Sequence, residues 1–321
     1  LFQQSLRSDS VSQYLDSSYV HGSLYVLGYS YLEGKAHPLF ADINMPLDLD
    51  ILRKSTRVWA MQLDENFKIL RTIELEKIFP SEVTITSGSG KKFFIAGMFQ
   101  SSSEDKSIEQ AIVCYDQAGK EIWRKDFWRK DFTNPDTSQW LPTYNLPYEL
   151  DLIADRGDNL WVLQAGEQEI SIQKLLPNGD LEWSKSITSS ATTINNLALG
   201  ADQSLYLCGW TSDQKFPLKN AHQETISMDR NSWAMIWSKT GEMLYSTYLG
   251  GKSSSTPLIP YDLDFATSIH PTAEGFVVAG FTVSNSEFPI GYPIEKLDND
   301  IVLDPLKLNV SRYMLEFELE R

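Results

Sequence analysis

One motif recurs five times along this chain and limits what it can fold into. Leu24-Tyr-Val-Leu-Gly-Tyr-Ser30, Phe93-Phe-Ile-Ala-Gly-Met-Phe99, Leu160-Trp-Val-Leu-Gln-Ala-Gly166, Leu205-Tyr-Leu-Cys-Gly-Trp-Thr211 and Phe276-Val-Val-Ala-Gly-Phe-Thr282 are short apolar runs. Continuous apolar character over so short a length predicts strands buried on both faces, as where sheet packs on sheet. Four of the runs carry glycine at the fifth place; the third has Gln164 there and Gly166 two residues later. Glycine inside a strand marks a bulge or a close approach of another backbone.

Each run, strand B of its repeat, follows a shorter strand A, placed around Gln13, Val83–Ile85, Leu150–Ile153, Asn196–Leu199 and Leu263–Ala266. Hairpins of strands C and D follow it, with turns at Asp64-Glu-Asn66, Asp116-Gln-Ala-Gly119, Pro177-Asn-Gly179 and Lys239-Thr-Gly241. Asn, Asp and Gly supply the positive φ that such turns need. The B strands start at 24, 93, 160, 205 and 276, at intervals of 69, 67, 45 and 71 residues. Four strands repeated at this period predict an all-β fold, a five-bladed β-propeller of four-stranded antiparallel blades. The blades fall at 9–74, 80–126, 148–187, 193–249 and 261–321, within one domain over 1–321. The fifth repeat has no strand D after Leu319, whereas Leu1-Phe-Gln-Gln-Ser-Leu-Arg7 is spare. This N-terminal segment is therefore expected to pair with Tyr313–Leu319 and close the ring, which removes an open edge.

A formal charge of −15 and a pI near 4.7 argue against nucleic acid as a partner, since phosphates are repelled. Cys114 and Cys208 fall inside apolar strands and read as buried free thiols. No apolar run has the length of a transmembrane helix, and the start lacks the form of a signal peptide.

In an alternating blade the B–C and D–A connections share one face. The long stretches 31–57, 100–110, 127–147, 212–231 and 283–311 all belong to that face. Long loops on a rigid scaffold are where binding resides, the alternative being inert decoration. Trp128, Trp140 and Tyr144 are the candidate anchors there, because rings bury area at little entropic cost. Strand A lines the channel of a propeller. Thr84, Asp151 and Asn196 stand at one offset before their B strands, and Asp264 joins them because Tyr261-Asp-Leu-Asp264 repeats Tyr148-Glu-Leu-Asp151. These four form a candidate polar ring whose oxygens suit water or a hard cation, the alternative being a hydrated channel without function.

His21, His37, His222 and His270 lack metal spacing, Asp298-Asn-Asp300 and Asp48-Leu-Asp50 lack the rest of a calcium loop, and no nucleophile or phosphate-loop motif appears. No cofactor, no dedicated metal site and no catalytic residue are predicted. Two functions remain. One is a non-catalytic, monomeric binding module for a protein or glycan. The other is a glycosidase-like hydrolase using channel carboxylates, for which Asp151 and Asp264 are the only pair on strands A.

The fourth repeat is similar to the bacterial β-propeller repeat called SBBP. Gly209-Trp-Thr211, Lys215-Phe-Pro217, Trp233-Ala-Met-Ile-Trp237, Thr240-Gly241 and Tyr245-Ser-Thr-Tyr-Leu-Gly-Gly251 carry the resemblance. Gly280-Phe-Thr282 and Glu287-Phe-Pro289 extend it into the fifth repeat. The resemblance implies a bacterial scaffold that is exported or surface-associated, hence extracytoplasmic, and it transfers no catalytic residue.

Overall fold

The computed structural model describes residues 12–20, 23–31, 56–75, 78, 83–89, 92–100, 108–130, 149–165, 168–189, 191–226, 230–251, 264–282, 302–303, 308–309 and 311–318. Every regular element among them is a β-strand. The first sheet runs β1 (Ser12–Val20), β2 (Ser23–Tyr31), β3 (Thr56–Leu63), β4 (Ile69–Leu75). The second runs β5 (Thr84–Ser87), β6 (Lys92–Gln100), β7 (Ile108–Asp116), β8 (Glu121–Lys130). The third contains β9 (Glu149–Ala154), β10 (Leu160–Ala165), β11 (Glu169–Leu175) and β12 (Leu181–Thr188), and the fourth β13 (Thr192–Leu199), β14 (Leu205–Thr211), β15 (Asn231–Trp237) and β16 (Met243–Leu249). In the fifth, β17 (Asp264–Pro271) and β18 (Gly275–Thr282) are joined by β21 (Ser311–Glu318). A two-stranded ribbon, β19 (Val302–Leu303) with β20 (Leu308–Asn309), lies between β18 and β21 in sequence.

The predicted strands A to D of four repeats, and A to C of the fifth, are therefore present in consecutive antiparallel order. Residues 1–11, on which ring closure rests, lie outside the described residues, as do Trp140 and Tyr144. By its internal contacts the chain divides into two compact units. One is Leu1–Leu163 with Gln173–Glu182, the other Gln164–Ile172 with Trp183–Arg321, and the division falls within the third sheet.

In the first unit β6 explains why the B strands are apolar throughout. Its Phe93 and Ile95 join Tyr25, Leu27, Val58 and Ala60 of the first sheet in one core. Phe94 and Ala96, on the opposite face, join Leu152, Ala154, Leu160 and Val162 in another. Alternate residues thus serve two cores, so no position along the strand is free to be polar. Fully burying each such side chain contributes roughly 1.5–3 kcal/mol. Phe93 stacks between Tyr25 and Tyr115, with centroids 5.5 and 5.2 Å away. In the second unit Tyr206, Cys208 and Ile236 of the fourth sheet pack on Ile269, Phe276, Val278 and Leu315 of the fifth.

Six hairpin turns share one backbone solution. At 64–68, 116–120, 155–159, 176–180, 200–204 and 238–242 the first residue donates to the fifth carbonyl, and the fourth N–H returns to the first carbonyl. This is a type I turn with a bulge, and its fourth residue must be left-handed. Gly119, Gly179, Gly241, Asp158, Gln203 and Phe67 fill that seat, with φ of 60° or more. The glycines also pack. A Cβ on Gly179 would lie 2.9 Å from the Trp123 ring, and one on Gly241 3.1 Å from Trp183. Each places a turn against strand D of the preceding sheet.

Two boundaries differ from expectation. Strand β8 continues to Lys130, with Phe127 as the extra residue of a bulge, so Trp128 pairs with Gln110 on a strand instead of lying in the following connection. Strand β17 continues to Pro271 and turns at Thr272–Gly275, well beyond the strand A expected at Leu263–Ala266.

The recurring glycine meets both of its predicted roles. Gly28, Gly209 and Gly280 stand opposite Tyr14, Ile194 and Ala266, and in each A strand the ladder skips the next residue: Leu15, Asn195 or Thr267. The bulge pushes backbone towards strand B. A Cβ on Gly209 would lie 2.0 Å from the Thr193 carbonyl oxygen. Because backbone cannot step aside as a side-chain end can, Gly209→Ala is expected to cost at least about 2 kcal/mol. Chemical denaturation measures this, and an unchanged midpoint would show that the bulge yields.

Candidate functional site

Strand A is the edge strand of every sheet, so every second N–H along it has no ladder partner. In the first unit the polar residues of adjacent A strands meet this need. Asp16 Oδ2 accepts from the Ile85 N–H and from the Thr84 hydroxyl, both at 2.8 Å. Ser18 Oγ, two residues on, accepts from the Ser87 N–H at 3.1 Å. The relation repeats one sheet later, where Thr86 Oγ1 accepts from the Ala154 N–H at 3.2 Å. Asp151 Oδ1 accepts from the Leu152 N–H at 2.8 Å and lies 3.5 Å from the Thr84 hydroxyl. In the second unit Asn196 Oδ1 accepts from the Ile269 N–H at 3.1 Å, and the Asn195 amide donates to the Ala266 carbonyl at 2.7 Å.

Of the four candidate residues, three share one place on their A strands. Thr84 pairs with Ala96 and Asn196 with Cys208, in each case the residue before the B-strand glycine. Asp151 fits the same place by its hydrogen bonds, since Thr86 reaches the N–H three residues beyond it just as Ser18 reaches three beyond Thr84. Their side chains tie strand to strand. Asp264 is different: it pairs with Thr282, beyond the glycine, at the place that Thr192 holds opposite Thr211 in the fourth sheet. It is 1% exposed, accepts from the Thr282 hydroxyl and receives the Gly251 N–H at 3.1 Å. The alignment of Tyr261–Asp264 with Tyr148–Asp151 fails because β17 contains a bulge and runs on to Pro271. The equivalent position in the fifth sheet is Ser268, paired with Ala279. In the first sheet it is Asp16, opposite Leu27, and not the nearby Gln13. Counting back from the B-strand glycine through a one-residue bulge would have found both.

Among the connections expected to form a binding face, 212–226 is described, and it is occupied. It folds along the edge of β16. Phe216, 3% exposed, packs on Trp233 and Tyr248 at 5.2 and 6.0 Å. Tyr248 Oη donates to the Asp213 carbonyl at 2.7 Å, and Lys219 and Ser246 exchange backbone bonds of 3.1 and 2.8 Å. The Gln223 side chain accepts from the Gly250 N–H at 3.0 Å, and a Cβ on Gly250 would meet Asn231 at 2.4 Å. Phe-Pro and Tyr-Ser-Thr-Tyr-Leu-Gly-Gly, distant in sequence, are thus a strap and the edge that it covers.

No group of three or more His, Cys, Asp or Glu side chains placed to hold a metal occurs among the described residues. Cys114 and Cys208 are buried free thiols, as expected, and burial pushes both up to about 12 from 9.0. A thiol held neutral by the fold contributes stability below the unfolded value that is lost as pH rises from about 9 through 12. No helix of the described residues is long and apolar enough to cross a membrane.

Two measurements follow from this geometry. Thr86→Val keeps the volume of a residue 4% exposed but strips the Ala154 N–H of its acceptor. It should cost about 1–3 kcal/mol in denaturant titration, and a smaller loss would mean that water replaces the hydroxyl. An aromatic disulfide reagent at mildly alkaline pH should leave both native thiols untouched and react with both in denaturant. Rapid reaction of the native chain would contradict their burial.

No protein-family model and no curated protein sequence matches the chain. Among solved structures, a protein from Lactobacillus plantarum aligns with a TM-score of 0.41 and 10% identity, over 86% of this chain and 69% of its own. An exo-β-1,3-galactanase from Phanerochaete chrysosporium gives 0.39 and 9% over 85% of this chain and 56% of its own length. Levansucrase from Bacillus subtilis gives 0.36 and 10%, with 86% and 81% covered. Likenesses this distant carry no inference about the chemistry of this chain.

Proposed function

We propose that the five sheets are the blades of a single five-bladed β-propeller over 1–321, closed by the N-terminal strand and related to the SBBP repeat. It serves as a non-catalytic binding or scaffolding module for a protein or glycan. The module is monomeric, extracytoplasmic and bacterial in this reading, and needs no cofactor. The observation that carries it is the fate of the A-strand polar groups: they are spent on joining sheets. A glycosidase needs one carboxyl free to protonate the leaving oxygen and a second free to attack or to activate water. Asp264 is buried on Thr282 and Gly251, and Asp151 receives the Leu152 N–H. Both sets of bonds support a structural role for these carboxylates. Recognition then falls to the long connections, where the strands hold fixed ends and the intervening segments vary without cost to the core.

The test pairs a glycan array and a pull-down on the intact chain with a glycoside panel. Binding that drops at least about thirtyfold when Trp128, Trp140 and Tyr144 are replaced by Ala is the expected result, since even one anchor worth about 2 kcal/mol gives that much. Turnover of a glycoside, lost in Asp151→Asn, would establish the hydrolase instead. Binding unaffected by the triple replacement would place recognition on another surface.

A further inference from the structure

The six matched turns make one residue conspicuous. The left-handed seat is filled by glycine three times, by Asp158 and by Gln203, but in the 64–68 turn by Phe67, with φ 60°. A bulky side chain is strained there, crowded by its own carbonyl. Phe67 gains nothing from the core in exchange, being 68% exposed. Ile69 and Leu70 follow at 41% and 52% exposed. Successive strand residues point to opposite faces, so these two flank the tip on both sides.

The tip is also held firmly. Asp64 Oδ1 accepts from the N–H groups of Asn66 and Lys68, both at 2.9 Å, and the Phe67 N–H donates to the Asp64 carbonyl at 3.0 Å. Behind it Arg71 donates to the Gln117 carbonyl at 2.6 Å, and Ile73 lies under Gly119, whose Cβ would stand 2.3 Å from it. A strained, exposed aromatic on a braced turn costs folding energy without contributing to the fold. Strain of this kind persists where function needs it, and a ring already fixed in place loses little entropy on binding.

We infer that the 64–70 hairpin tip is a docking element that inserts Phe67 into an apolar pocket of a folded partner protein with a basic surface around that pocket. Charge selects this occupant. The chain carries −15 overall, and within the 64–70 tip Asp64 and Glu65 outnumber the one cation, Lys68. That field repels anionic bilayers and second copies of the chain, and it steers basic protein surfaces towards the tip. The inference does not rest on the propeller reading or on the long connections.

The experiment places a photo-reactive benzoylphenylalanine at position 67 of the full chain, isolates the protein that it captures, and then titrates that purified protein with unmodified chains. Expected are binding that weakens with salt, a loss of at least about tenfold in Phe67→Gly, a smaller loss in Phe67→Leu, and a thermal midpoint for Phe67→Gly no lower than that of the parent. Binding unchanged in Ala variants of Trp128, Trp140 and Tyr144 separates this surface from the proposed long-loop face. Five outcomes overturn the inference: no captured protein; a captured protein that binds Phe67→Gly as well as the parent; Phe67-dependent binding to phosphatidylcholine–phosphatidylserine vesicles; a Phe67-dependent dimer in sedimentation; or a lowered thermal midpoint in Phe67→Gly.

Discussion

An edge strand carries a row of N–H groups that its own sheet does not satisfy, and here the A strands of the first three sheets, and those of the fourth and fifth, lie against one another. Asp16, Ser18, Thr86 and Asn196 answer with side-chain oxygens directed at the N–H groups of Ile85, Ser87, Ala154 and Ile269. A buried N–H without an acceptor costs about 1–3 kcal/mol, so the polarity of these strands is a condition of packing sheet beside sheet. It also explains why the A strands are less apolar than the B strands. The B strands have neighbours on both sides in the ladder, and β6 has a core on each face, whereas the A strands must supply acceptors across a gap.

The same neighbour relation is built a second time at strand D, by different chemistry. Gly119 rests on Ile73, Gly179 on Trp123 and Gly241 on Trp183. In the middle pair the Trp123 indole N–H also donates to the Pro177 carbonyl at 3.1 Å, which aligns the ring under the turn. One glycine thus meets two demands, a left-handed φ and the room for a side chain below. The β16 edge is protected in yet another way, by the strap 212–226, which pairs at Lys219 and plugs the sheet with Phe216. Covering an edge in this way removes a template for unwanted pairing.

These devices bear directly on function. Asp16 and Asp264, on A strands, give carboxylate oxygens to backbone N–H groups, a use that the packing of the strands alone accounts for. Phe67 is the opposite case: five related turns show which residues that seat accepts at low cost, and the ring departs from them without compensation in the core. Where one copy of a repeated solution breaks the local rule, the departure points away from folding and towards recognition.

The sequence by itself determined the strands, their antiparallel order and their grouping into sheets, because apolar period and turn residues act over a few neighbours. It also pointed to the recurring glycines as sites of bulge or close approach, and the Gly209–Thr193 contact supplies both. It was legible for Thr84, Asp151 and Asn196, whose places follow from a constant count to strand B. Asp16 and Ser268 were missed because a one-residue bulge opposite the B-strand glycine shifts every later partner, so the count holds only once that bulge is included. Asp264 was misplaced for the same reason. Nor did the sequence reveal that Lys215-Phe-Pro217 packs on Tyr245–Gly251, or that the turn glycines sit on Ile73, Trp123 and Trp183 of another sheet. Such contacts join residues tens of positions apart, and only the tertiary structure decides which of many compatible surfaces meet.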